Sequence, residues 1–152
     1  MTRLLSSILH PQYLNSSYKT KLLDVYKTDY ENKSDEDGYI IKVNSIKRIL
    51  SSDIDNNNQI IVKSYCNCDI FKPEVGSIID CTINLIHING IFLNKYGIKI
   101  IVPSSNDYQY SQSKIIYNNK HYIVGDTITI KIIDVRYDKF TYSCVGNLIL
   151  KT

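Results

Sequence analysis

FKPEVGSIIDCTINLIHINGIFLNKYGIKIIV, residues 71–102, sets long strand-type runs behind a segment that carries one Pro and one Gly. Proline removes a ladder donor and glycine opens left-handed backbone, so a strand ends here and a new one begins. We read residues 71–76 as a domain boundary, with Phe71, Lys72, Pro73 and Gly76 as an interdomain junction. After Gly76 the chain is almost entirely β: SIIDCTINLIHI, IFLNKYGIKIIV, DTITIKIIDVRY and FTYSCVGNLIL, each bounded by turn residues. Short strands spaced in this way predict a small barrel over residues 73–152. The polar stretch at residues 103–122 is long for a structureless loop, and a short strand or helical turn is expected around residues 114–117.

On the other side of the boundary lie two further β-type runs, GYIIKVNSIKRIL (38–50) and QIIVKSYCNCDIF (59–71), separated by the polar SSDIDNNN. They read as a hairpin whose loop begins at Ser51. In the second run Ile60, Val62, Cys66, Cys68 and Ile70 share one face and Lys63, Asn67 and Asp69 the other, so both cysteines point into a core. Before the hairpin, Tyr18, Leu22, Tyr26 and Tyr30 form an i, i+4 stripe. This predicts an amphipathic helix capped near Ser16 or Ser17, running to about Lys33 and closed by SDEDG. Residues 1–72 are thus expected to form an α+β domain, a helix on an antiparallel sheet.

The chain has 152 residues, room for one ordinary core or two small ones. Its 43% hydrophobic and 22% charged content is that of a globular protein, with no apolar run of membrane-spanning length and no secretory h-region at MTRLLSSILH. An intracellular setting is expected, with the four cysteines reduced. There are 26 Ile, 15 Lys, 14 Asn and 13 Tyr against three Arg and no Ala or Trp, a bias towards A/T-rich codons that fits a large DNA virus or an A/T-rich microbe. Up to Glu74 the charges balance, ten Lys/Arg against ten Asp/Glu, and after it stand eight against five. The excess of +3 therefore lies in the second half, where a nucleic-acid footprint would be sought.

No catalytic constellation is present in the sequence: no phosphate-cradling Gly-rich loop, no HExxH and no GxSxG. Neither metal nor cofactor is expected, because His10, His87 and His121 are scattered and Cys66 and Cys68 lack a second ligand pair. What stands out is aromatic residues interleaved with cations: Phe92, Lys95, Tyr96 and Lys99, Tyr108 to Tyr122 with Lys114 and Lys120, then Arg136, Tyr137 and Lys139. Rings stack on bases while ammonium groups follow phosphates, so the mixture suits single-stranded RNA.

The run GSIIDCTINLIHINGIFL resembles the opening strands of the OB-fold RNA-binding domain first described in the ribosomal S-one protein, with Gly90 and Phe92 in the family's second-glycine and aromatic places. Asn89 stands where that family has another aromatic. Pro103 and Ser104 occupy the region of its histidine, and Asp134 and Arg136 fall near its acidic and basic pair in the fourth strand. Over nearly its whole length the chain is similar to the seventh-subunit, or stalk, family of RNA polymerase II, which has relatives in the archaeal RNA polymerase. LHPQYL (9–14), GYIIKV (38–43), IFKPEVGSIID (70–80) and IKIIDVRYDKFTYSCVGNL (130–148) carry the likeness in order. Two departures stand out: a first strand that reads as shortened, and SSDIDNNN in place of a Gly-rich tip loop.

That resemblance implies a tip domain docking on the largest polymerase subunits through Ser51, Ser52, Asp53, Ile54, Asp55 and Asn56 and pairing with a small helical partner subunit. It implies an OB barrel that meets nascent single-stranded RNA through Phe92, Lys95, Tyr96, Lys99, Asp134, Arg136 and Lys139. A stalk wedged beside the clamp would favour its closed form and support initiation, in a nucleus, a viral factory or a virion. The chain itself would have no active site. A free-standing RNA-binding factor of translation or RNA decay is the alternative the barrel alone allows.

Overall fold

The computed structural model describes residues 1–15 and 17–149, and it is mostly β with one α-helix. The chain forms two compact units, Met1–Lys33 with Gly38–Phe71, and Ser34–Asp37 with the chain from Lys72 onward.

β1 (Thr2–Leu9), β3 (Gly38–Ile54) and β4 (Ile60–Phe71) of the first unit form a sheet with the short β2 (Lys33–Asp35), in the order β1-β4-β3-β2. β1 is a full eight-residue strand, antiparallel to β4 from Thr2 opposite Asn67 to Leu9 opposite Ile60. The shortened first strand expected from the sequence is therefore corrected: TRLLSSIL alternates Leu5, Ser7 and Leu9 inward against Leu4, Ser6 and Ile8 outward, which period-two burial permits despite the two serines. The helix α1 (Tyr18–Tyr30) places Leu22 and Tyr26 in one buried cluster with Leu5, Leu9, Ile40, Val43, Val62, Cys66 and Cys68. Tyr26 is fully buried with its polar end satisfied: the hydroxyl donates to the Val62 carbonyl at 2.9 Å and lies 2.9 Å from Ser64 Oγ. Of the two expected caps, Ser16 lies outside the described residues and Ser17 makes no side-chain cap bond. Ser17 is nonetheless the N-cap residue, and its own N–H donates to Asn15 Oδ1 at 2.8 Å in the turn that leads into the helix. The helix ends three residues earlier than expected, because Asn32 turns to φ 61 and donates its N–H to the Ile40 carbonyl.

The hairpin loop is also shorter than SSDIDNNN. Residues Ser51 to Ile54 pair with β4, up to Ile54 opposite Ile60, and the turn proper is residues 55–59. Asp55 Oδ1 closes it by accepting from the Asn57 and Gln59 N–H groups, at 2.9 and 2.8 Å, and this Asx turn lets the polar SSDI residues remain in the strand.

The second unit holds a closed barrel built from β5 (Ile78–His87), β6 (Gly90–Lys95), β7 (Ile98–Pro103), β11 (Thr127–Asp138) and β12 (Thr141–Leu148), ordered β11-β12-β7-β6-β5. Pairing of β11 with β5 closes it, and β12 lies parallel to β7 while the other neighbours are antiparallel. Ile83, Ile91, Leu93, Ile98, Ile100, Ile130 and Ile132 fill the interior with Cys81 and Cys144. Gly90 is required by a close approach, since a Cβ there would sit 2.8 Å from the Val102 carbonyl oxygen. Residues 103–122 are no loop: β8 (Gln109–Ser111), β9 (Lys114–Tyr117) and β10 (Lys120–Tyr122) make a separate antiparallel sheet, two strands more than the sequence suggested.

Candidate nucleic-acid interface

Two irregularities in the barrel ladder create its outer face. Strict alternation would send Ile83 and Leu85 to the same side, but the β5–β6 register shifts between them, so Ile83 is buried and Leu85 is 52% exposed. A second shift, between Ile132 and Asp134 in β11, keeps Ile132 inside and turns Asp134 and Arg136 out. Bulges re-aim side chains in this way and are common beside functional surfaces.

With those two phases set, register pairing lays two rows across the outer wall. One runs Leu85, Phe92, Ile101, Val145, Asp134. The next runs Thr82, Asn94, Lys99, Ser143, Arg136. The first is largely apolar and carries Phe92 at 41% exposure; the second is wholly polar and carries two cations. A groove of about 420 Å³ is lined by Leu85, Phe92, Lys99, Ile101 and Ser143, so an aromatic ring and an ammonium group face the same space. Neighbouring strands lie about 4.8 Å apart, which places stacking surface and phosphate-seeking charge within one nucleotide's reach.

The other predicted residues are distributed less tightly. Tyr96, 48% exposed, heads the β6–β7 turn at φ 57, and the Lys95 ammonium lies 4.9 Å from its ring centroid, a cation–π contact that covers one ring face. Lys95 has the opposite phase to Phe92 along β6, so it is not part of the Phe92–Lys99 groove. Lys139 occupies the β11–β12 turn at φ 48.

Sequence reasoning missed the residue beside it. Phe140 is 74% exposed at φ 62, whereas the sequence pattern makes FTYSCVGNLIL a strand from its first residue. Two large residues in left-handed backbone at a hairpin tip are unfavourable where Asn-Gly would be relaxed. The signal available was the DKF tripeptide between two Tyr-containing strands, in which Asp138 is the one turn-favouring residue and neither position that needs left-handed backbone is Gly or Asn. Leu85 and Ile101 were missed as well: strict alternation counts Leu85 as core with Ile83, and Ile101, although it shares the outward phase of Lys99 in β7, is an apolar residue in an apolar run.

Of the predicted docking residues, Ser52, Asp53 and Ile54 line an apolar groove of about 400 Å³ with Leu9, Leu14, Tyr18 and Ile60, and Ile54 is 73% exposed. Ser51, Asp55 and Asn56 do not line it. At the junction Phe71 ends β4 opposite Tyr39, Lys72 is exposed and Pro73 buried, and Gly76 turns at φ 93 and donates its N–H to the Ile132 carbonyl at 2.7 Å.

Burial pushes the Cys81 thiol up to about 12 and the Cys66 and Cys144 thiols up to about 11, and it raises Cys68 too. All four thiols are buried, which makes them poor nucleophiles and poor metal ligands. Among the described residues no group of three or more His, Cys, Asp or Glu is placed to hold a metal ion, and no helix is long and apolar enough to cross a membrane. No family model and no curated protein matches the chain.

Proposed function

We infer that the chain is the non-catalytic stalk subunit of a multisubunit DNA-directed RNA polymerase, binding nascent single-stranded RNA on an OB-type barrel and docking through its first unit. The observation that carries the RNA half is the pair of adjacent rows on the barrel wall, Phe92 with Leu85 and Ile101 beside Lys99 and Arg136. A five-stranded barrel that presents its second and third strands and its 4–5 turn to a ligand is the OB mode of oligonucleotide binding. Here those elements are β6, β7 and the Lys139–Phe140 turn.

The polymerase half rests on the four ordered segments similar to the seventh-subunit family, and the groove beside Ser52, Asp53 and Ile54 supports it by offering an apolar seat to a protein partner. Function follows from the two halves together: the docked first unit would brace the clamp and support initiation, while the barrel holds the transcript. With about three or four phosphates neutralised, log K for RNA falls with log salt at a slope of about −2 to −3.

Purification of the tagged chain from its native cells or infected host, with mass spectrometry of what accompanies it, tests the reading. Recovery of the two largest polymerase subunits with a small helical partner is the expected result. Recovery of ribosomal or RNA-decay proteins without them would overturn the polymerase assignment and leave a free-standing RNA-binding factor, the reading that the barrel wall favours equally.

A further inference from the structure

The small sheet β8–β10 has no part in the interface described above, yet it is firmly built. Ile115 is fully buried, and the Tyr108 hydroxyl lies 3.0 Å from the Val102 carbonyl oxygen and 2.9 Å from that of Pro103, fastening the segment to the end of β7. The β9–β10 hairpin turns through Asn118 and Asn119 at φ 52 and 64, the left-handed pair of a tight two-residue hairpin that asparagine accepts readily. Lys120 pairs with Tyr117 and Tyr122 with Ile115, so the alternation of the pleat puts Tyr117, Lys120 and Tyr122 on one face.

That face overhangs the start of β11. Between them is a groove of about 290 Å³ lined by Tyr117, Asn118, Lys120, Tyr122, Thr127 and Thr129. Tyr117 and Tyr122 are half-buried and Lys120 is exposed. Burial raises the Tyr117 hydroxyl's pKa, with Asp107 and Tyr122 adding to it, so that ring stays neutral at physiological pH. The volume is near the low end for ligand clefts and suits one planar base. Two phenol rings, one carboxamide, one exposed ammonium group and the threonine side chains are the chemistry a flipped-out nucleotide meets in single-strand binders.

The groove also lies on the polar row of the interface. Thr127 pairs with Thr82, Thr82 with Asn94, and Asn94 with Lys99, three steps of about 4.8 Å that carry a hydrogen-bonding path of roughly 14 Å from the groove to the Phe92 face. The geometry points to a second base-binding subsite between the small sheet and the barrel wall, in which one base of a single-stranded RNA lies against Tyr117 and Tyr122 while Lys120 meets its phosphate. The inference rests on RNA being the ligand of the Phe92 face. It adds that the bound strand turns around the barrel towards β11 instead of leaving at Lys99.

Fluorescence anisotropy on the full chain separates the two claims, with labelled oligouridines of about four and about twelve nucleotides and the variants Phe92→Ala, Lys120→Glu and Tyr122→Leu. The short strand covers one subsite and the long one both, within the range of site sizes for a barrel of this kind. Expected is a wild-type preference for the longer strand, lost by roughly five- to tenfold in Lys120→Glu and Tyr122→Leu with little change for the short strand. Phe92→Ala weakens both lengths. If both groove variants bind the long strand like wild type while Phe92→Ala does not, the subsite is overturned and the Phe92 face stands. If Lys120→Glu weakens both lengths equally and Tyr122→Leu neither, Lys120 acts only through long-range charge and the subsite is again overturned. Loss in the groove variants with none in Phe92→Ala overturns the Phe92 face instead. Absence of wild-type binding at low salt overturns both.

Discussion

The open sheet of the first unit and the closed barrel of the second handle strand irregularity in opposite ways. β3 shifts register against β4 four times, between Ile40 and Lys42, Val43 and Ser45, Ile46 and Arg48, and Ile49 and Ser51. An open sheet absorbs such shifts by twisting, and on the other side of β4 the pairing with β1 runs on in unbroken register. A barrel has no edge, and each shift has to be accommodated within the closed ring. The β5–β6 and β11–β12 pairs show one shift each, and the residues those two shifts turn outward are Leu85, Asp134 and Arg136. In the sheet irregularity shapes the strand; in the barrel it builds the candidate interface.

The largest expected effect on this comparison is alkaline, because four buried thiols act together, two in each unit. Folding raises each thiol above its ordinary value of 9.0, so from pH 9 upward the folded state holds protons that the unfolded state has released. Stability is then greatest below pH 9 and falls as pH rises, ending near about 11 for Cys66 and Cys144 and near about 12 for Cys81. Denaturant midpoints followed by circular dichroism across that range read the slope, and Cys81→Ala removes its most alkaline part. A variant with the wild-type slope at its upper end would show that the barrel thiol is solvated.

Next in size are cavities. Leu22 and Ile130 are each fully buried, one in each unit, and truncation of either to alanine costs about 2–5 kcal/mol. Because every predicted RNA contact lies in the second unit, Leu22→Ala leaves RNA affinity at its wild-type value below the unfolding transition. An affinity loss as large as that of Phe92→Ala would break the assignment of the interface to the barrel.

Alternation made the inward side of β4 legible: Val62, Cys66 and Cys68 are buried and Lys63, Asn67 and Asp69 exposed. Ser64 falls on the same inward face by the same alternation; what no local pattern carries is its partner, the Tyr26 hydroxyl that meets its Oγ and allows a polar residue to stand there. Barrel strands were legible as strands, since β-branched runs between turn residues have few other uses. Their pairing partners were not. The parallel contact of Ser143 with Lys99 joins residues far apart in sequence, and the shift after Ile83 is invisible in a run where both alternatives are apolar. The candidate site was accordingly half legible. Phe92 and Lys99 were found by residue type; Leu85 needed the register, and Ile101, in phase with Lys99, was passed over as one apolar residue among others.

Removing the ring of Phe92 is the third effect. At 41% exposure the side chain contributes little packing, so Phe92→Ala leaves the denaturant midpoint almost unchanged while RNA binding loses about 1–3 kcal/mol of stacking. Titration at two salt concentrations checks this, because a lost stacking contact leaves the salt slope as it was, whereas Arg136→Ala lowers it by about 0.7.

The smallest effect pits the barrel's stability against its ligand. Lys139 and Phe140 hold φ values of 48 and 62 at the β11–β12 tip, backbone that costs side-chain-bearing residues about 1–2 kcal/mol each relative to glycine. Replacing the pair with Asn-Gly keeps the turn type and relieves that strain, and the denaturant midpoint should rise by the equivalent of about 1 kcal/mol. The same change deletes a 74% exposed ring and a cation from the turn next to the fourth and fifth barrel strands, so RNA affinity should fall as stability rises. The sheet's own two-stranded turn is the control: it spans Asp55 to Gln59, and its one left-handed residue is Asn58 at φ 59. Asn58→Gly there should change neither quantity by more than a few tenths of a kcal/mol. A stabilised barrel that binds RNA as before would place Phe140 outside the interface and leave its backbone conformation as strain without a ligand to account for it.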